Sequence, residues 1–168
     1  MKKKLLPILA IGILAMFSCK KTTNPTPAEP GMATIQGKLY APIDLSNDTT
    51  ALGVFTNGLH NESAIAGIVV TAIVDSRDLQ QNPQAGFNYE LLKFTTATGS
   101  DGSFSFSDIP AYSEEINVEL RFNDFEEDQI QFDPSNNPSE KKVFSLSNKT
   151  VNVYDGALVI KEYDYTAN

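Results

Sequence analysis

Ile116-Asn117-Val118-Glu119-Leu120-Arg121-Phe122 decides the fold. Apolar and polar residues alternate without a break, the two-residue period of a strand with one face buried rather than the 3.6-residue period of a helix. Ile116, Val118, Leu120 and Phe122 face one side; Asn117, Glu119, Arg121 and Asn123 face the other. The same alternation recurs upstream, where Phe104 and Phe106 are interleaved with Ser103, Ser105 and Ser107. Gly67–Val74 is instead nearly continuous in apolar residues, with Ile68, Val69, Val70, Thr71, Ile73 and Val74 β-branched, which suits a central strand covered on both faces. Further strands are predicted over Thr34–Tyr40, Tyr89–Thr96, Gln129–Phe132, Lys142–Leu146, Thr150–Tyr154 and Ala157–Tyr163.

Asp101-Gly102 and Asp155-Gly156 each separate two such runs, and Asp-Gly between apolar runs predicts a hairpin because both residues tolerate positive φ. No stretch carries a long helical period with caps. The expected fold class is therefore all-β: a single Ig-like β-sandwich of seven to nine strands over residues 32–168.

Just beyond the opening stretch lie Asp124, Glu126, Glu127 and Asp128. Asp124, Glu126 and Asp128 share parity with Leu120 and Phe122, so a strand running straight on would carry three carboxylates into the core. The strand is thus expected to end or bulge near Asn123, with the acids in a turn. The alternate spacing of Asp124, Glu126 and Asp128 matches the start of a calcium loop, and calcium takes about six to eight oxygen ligands. Gln129 stands where that loop needs glycine, and Ser135 where it needs a bidentate glutamate, so a solvated acidic turn is the favoured reading. Calcium is the one candidate cofactor.

His60 is the only histidine, which precludes a zinc site built on several imidazoles. It lies in a polar stretch after Asn57-Gly58, with no nucleophile placed beside it, and reads as an exposed loop residue. There is no GxSxG, no P-loop and no HExxH. Tyr89, Tyr112, Tyr154, Tyr163 and Tyr165 could line a glycan or peptide surface, but tyrosines are ordinary strand residues and the chain has no tryptophan. The connection Ala41–Ala66 is 26 residues long, rich in Asn, Asp, Thr and Gly yet carrying Val54, Phe55 and Leu59, and loops of that length are often functional.

The N-terminus says where the chain works. Lys2-Lys3-Lys4 precede thirteen mostly apolar residues, Leu5–Phe17, which end near the only cysteine, Cys19. This is a secretory signal layout, residues 1–18. As a helix it would span about 20 Å, short of the roughly 30 Å hydrocarbon core. Residues 19–31, with their prolines, read as an extended tether. Removal of the three signal lysines leaves 10 basic against 21 acidic residues, a net charge of −11 that repels nucleic acid and anionic head groups. One cysteine cannot form an internal disulfide.

Met16-Phe17-Ser18-Cys19 resembles the lipobox of bacteroidete lipoproteins, with Met16 where leucine is usual. The resemblance implies lipidation of Cys19. Lys20, in the place of an inner-membrane-retaining aspartate, implies the outer membrane, with a periplasmic or cell-surface face. Asp48-Thr49-Thr50 is similar to the short O-glycosylation sequon of that group, which would place a glycan on Thr49. Ile35–Leu39, Ala66–Val74, Thr95–Phe106 with its Asp101-Gly102, Asp108-Ile109-Pro110 and Ile116–Phe122 follow the order seen in carboxypeptidase-regulatory-like, or transthyretin-like, domains. Such domains imply an accessory role in exported proteins. Transthyretin-like hydroxyisourate hydrolases use several histidines and end in Tyr-Arg-Gly-Ser, whereas this chain ends Tyr163-Asp164-Tyr165-Thr166-Ala167-Asn168.

The expectation is a non-enzymatic binding or accessory module, membrane-bound through lipidated Cys19, with a protein or glycan partner and no nucleic acid. The alternative is a structural or adhesive subunit assembling by strand addition; a glycan- or peptide-acting enzyme ranks below both.

Overall fold

Residues 29–133 and 135–168 are described by the computed structural model of the chain. The opening stretch forms one strand over Ile116–Phe122, with Ile116, Val118, Leu120 and Phe122 buried as their parity requires. In chain order the strands are β1 Gly31–Ala41, β2 Glu62–Ser63, β3 Val69–Asp75, β4 Leu91–Ala97, β5 Ser103–Ala111, β6 Ile116–Phe122, β7 Phe125–Ile130, β8 Ser139–Ser145, β9 Lys149–Val153, β10 Leu158–Asp164 and β11 Thr166–Ala167. The sole helical element among the described residues is a 3-10 turn, Leu45–Asn47. The all-β expectation holds: nine longer strands plus the two-residue β2 and β11.

Two sheets face each other across one core. The first is built on β1, which pairs in parallel with β10 on one side and antiparallel with β5 and the short β2 on the other. The second has the order β4-β3-β6-β9, all antiparallel, and places the apolar Gly67–Val74 run at its centre. A third, three-stranded sheet, β11-β8-β7, stands at the end where β1 finishes. Strand directions define two ends. The Gly31 end carries the chain's approach to β1, the 76–90 and 112–115 loops and the Asp155-Gly156 turn. The Ala41 end carries the 42–61 loop, the Asp101-Gly102 turn and the third sheet.

Neither Asp-Gly pair makes the hairpin expected of it. β4 pairs with β3 while β5 pairs with β1, so Asp101-Gly102 passes the chain from one sheet to the other. Asp155-Gly156 does the same between β9 and β10. The local chemistry is as anticipated, with φ of 74° at Gly102 and 76° at Gly156. A turn fixes only the reversal; which neighbour each strand takes follows from which face must be buried. Gly102 is further constrained because a Cβ there would sit 2.5 Å from the carbonyl oxygen of Leu39.

The acidic stretch also departs from expectation. Asp124, Glu126, Glu127 and Asp128 do not form a turn: β6 ends at Phe122, Asn123-Asp124 is a two-residue link, and β7 begins at once in another sheet. The link resets parity, so that Gln129 is buried and Phe125 half-buried while Glu126 and Asp128 are exposed. Changing sheets thus solves the burial problem without a loop. The strand expected over Gln129–Phe132 starts four residues earlier and ends two earlier for the same reason. Phe125 stacks on Phe144 with ring centroids 4.9 Å apart and meets Tyr165 edge-on at 5.0 Å, joining the third sheet to the core.

Candidate functional site

The connection between β1 and β2 is not an open loop. Two carboxylates organise it. The Oε2 of Glu62 accepts the backbone N–H of Ile43 and of Asp44, each at 3.0 Å. Asp44 in turn caps the 3-10 turn, its Oδ1 accepting the N–H of Ser46 at 2.9 Å. Asp48 is fully buried; its Oδ2 accepts the N–H of Gly58 at 2.6 Å and its Oδ1 that of His60 at 2.7 Å. Its own carbonyl accepts the N–H of Thr56 at 2.8 Å. A buried carboxylate is tolerable only with such donors, and bonds of this charge-assisted kind are about twice as strong as neutral ones.

Between these anchors the chain makes a small hairpin. Thr49 bridges Phe55 antiparallel, and Thr50 exchanges backbone contacts with Val54 and Gly53, each at 2.8 Å. Phe55 stacks on Phe132 with centroids 4.7 Å apart, tying the hairpin to the segment after β7. Gln129 donates its Nε2 to the carbonyl of Pro42 at 2.6 Å, and Asp44 bridges Ile130 in parallel. The tip is left apolar: Leu52 is 90% exposed and Val54 58%, with Leu59 and Phe55 also on the surface. No Asp, Glu, Lys or Arg occurs from Thr49 to Asn61, in a chain with 21 acidic residues. Depletion of charge around exposed apolar side chains is the composition of an interface core.

The residues singled out from sequence fall as follows. Cys19 lies outside the described residues. Thr49 is half-buried, its N–H donated to the carbonyl of Asn47 at 2.7 Å. Asp124 sits in the link, and Glu126 pairs with Lys141 at 3.0 Å on the surface, holding that ammonium's pKa above its usual value. Among the described residues no group of three or more His, Cys, Asp or Glu is disposed to hold a metal ion, so Asp124, Glu126 and Asp128 do not converge into the calcium loop their spacing suggested. The extended backbone explains this: it holds Glu126 and Asp128 along the exposed face of β7, while Asp124 stays in the link before that strand. The His60 side chain is exposed, as expected. The tyrosines do not share a surface: Tyr165 is buried, donating its hydroxyl to the carbonyl of Asn123 at 2.8 Å, while Tyr154 is half exposed. Sequence reasoning missed Asp48 as an anchor. An acid ten residues before a glycine turn carries no local signature, and the sequon-like Asp48-Thr49-Thr50 draws attention to Thr49 instead.

Two shallow grooves lie elsewhere on the surface. One, of about 490 Å³, lies over β10, β1 and β5 and is bordered by Lys38, Ser103, Ser105, Ile160 and Glu162. The other, of about 420 Å³ at the Gly31 end, is lined by Asp78, Gln80, Glu114, Glu115 and Asn117. His60 lines neither. No helix among the described residues is long and apolar enough to cross a membrane.

The sequence matches no protein-family model and no curated protein. Among solved structures, the chain is similar to GBS52, the minor pilin of the Gram-positive pathogen Streptococcus agalactiae, with a TM-score of 0.43 and 9% identity over 83% of this chain and 46% of that one.

Proposed function

We propose that the chain is a non-enzymatic binding or accessory module, held at the outer membrane by lipid on Cys19, and that it engages a protein partner through the uncharged tip around Leu52 and Val54. One observation carries this reading: a loop exposing apolar side chains is pre-ordered by the buried Asp48 carboxylate. Pre-ordering removes much of the entropy cost of binding, which a loop used only as a connection has no need to avoid. The tip lies at the Ala41 end, opposite the point where the tether would enter at Gly31, and so faces away from the anchoring membrane.

A photo-crosslinking residue at Leu52 in intact cells should trap a discrete protein adduct, and the same residue at exposed Asn152 on β9 should not. The same pattern at both sites, or none at Leu52, overturns the proposal. Mass spectrometry of the N-terminal peptide should find acyl chains on Cys19, and Cys19→Ala should move the chain from the membrane to the soluble fraction.

Assembly by strand addition remains the second reading. It is favoured by β4, whose core-facing residues Leu92, Phe94 and Thr96 include no charge and whose outer edge has no strand neighbour among the described residues.

A further inference from the structure

The two facing sheets have four lateral edge strands, β4 and β5 on one side and β9 and β10 on the other. β10 has the features of an edge open to unwanted pairing. It is seven residues long, pairs only with β1 among the described residues, and shows Leu158 and Ile160 outward at 59% and 64% exposure. A strand edge flanked by apolar side chains is a template for a second chain.

One residue breaks the pattern of β10. In the parallel register, Val159 lies beside Ile35, Lys161 beside Gly37 and Tyr163 beside Leu39. Ile35 and Leu39 are fully buried, so Lys161 occupies the core-facing register of its strand, yet it is exposed. The core at that level is already filled. The Phe104 ring covers Gly37 so closely that a Cβ there would lie 2.3 Å from its tip. On β9, Lys149 stands in the same relation, in register with buried Leu120. The opposite side carries no such charge: its core-facing residues are Leu92, Phe94 and Thr96 on β4 and Phe104 and Phe106 on β5. There β5 is protected by a bulge between its pairings to Ile35 and Ala33.

We infer that Lys161 guards the β10 edge against pairing with the β10 of a second copy of this chain. Two β10 strands joined edge to edge would bring both Lys161 side chains to the core side of the new seam. Each would lose water, and the core-side groups near them, Gly37, Phe104 and Tyr163, offer no carboxylate in return. The closed side is therefore β9–β10, and any strand exchange is confined to β4. This inference does not depend on what the loop tip binds.

Sedimentation of the full-length chain in detergent tests it. Lys161→Val should tighten self-association by at least about tenfold, roughly 1.4 kcal/mol. Amide exchange over residues 158–164 should slow with it. Glu162→Val adds the same side chain on the outward face of the same strand and should leave the chain as monomeric as the unaltered protein. If Lys161→Val does not fold, Lys161→Gln, neutral and of similar length, is judged by the same shift. Equal association of the Lys161 and Glu162 variants, or none in either, overturns the inference.

Discussion

The two ends of the sandwich hold their loops by different means. The three buried polar side chains among the described residues, Asp48, Thr98 and Gln129, all belong to the Ala41 end. Thr98 accepts the N–H of Ile68 at 3.0 Å and donates to the carbonyl of Ile65 at 2.8 Å. Gln129 holds Pro42, and Asp48 holds Gly58 and His60. At the Gly31 end the corresponding bonds are exposed: Asp75 accepts Arg77 N–H at 2.8 Å, Ser76 accepts Glu90 N–H at 2.8 Å and Tyr89 accepts Gln84 N–H at 2.7 Å. The bond lengths are alike, but the consequences are not. Water freely replaces a lost partner at the Gly31 end, whereas the bonds at the Ala41 end are buried or part-buried, where replacement is harder.

The largest expected effect therefore comes from removing the most buried anchor. Asp48→Ala leaves two backbone N–H groups without their acceptor and should cost about 3 kcal/mol. Denaturant unfolding measures the loss, and amide exchange at Gly58 and His60 should rise with it. Asp48→Asn keeps one acceptor oxygen and should lose about half as much. A loss below about 0.5 kcal/mol for the alanine variant would put the two ends on the same footing.

This difference also marks where sequence reading succeeds. The alternation in Ile116–Phe122 and Ser103–Ser107 located β6 and the start of β5, because burying one face of a strand imposes its period on the residues themselves. Parity likewise indicated that the strand must stop near Asn123. It did not reveal that the chain would restart at Phe125 in another sheet, since that choice rests on Phe144 and Tyr165, about 20 and 40 residues away. The Asp-Gly turns were legible as reversals and illegible as sheet changes. The candidate site was half visible. Val54, Phe55 and Leu59 stood out in a polar loop, whereas the Asp48 anchor depends on backbone groups ten and twelve residues on, a spacing with no recurring pattern.

Tyr165 sharpens the comparison at intermediate size. Burial, and then the nearby Asp124 carboxylate, push its pKa well above the ordinary tyrosine value. The neutral hydroxyl is thus favoured in the folded chain, while the unfolded chain ionises near pH 10. The stability this supplies is present below pH 10 and is lost as pH rises from there through the raised folded value. Tyr165→Phe should cost about 1.5 kcal/mol at neutral pH, by leaving the Asn123 carbonyl without its donor. It should also flatten the alkaline loss. Part of that loss should persist, because burial raises the pKa of Tyr163 too. Urea midpoints compared at about pH 8 and about pH 11 separate the two tyrosines, and an unchanged alkaline slope in Tyr165→Phe would mean that its hydroxyl meets water after all.

The smallest effect should lie at the Gly31 end and serves as the control for the other two. Tyr89→Phe removes the acceptor of the Gln84 N–H in a loop where residues 80–88 are all exposed. Water can take the vacated position, and the Phe87 ring, 4.9 Å from that of Tyr89, keeps its contact because the ring itself is unchanged. Stability should move by less than about 0.5 kcal/mol. A hydrogen bond as short as the one Asp48 makes would then be worth several times less for being wet, and it is this exposure, rather than geometry, that separates a loop able to present a fixed surface from one that only joins two strands.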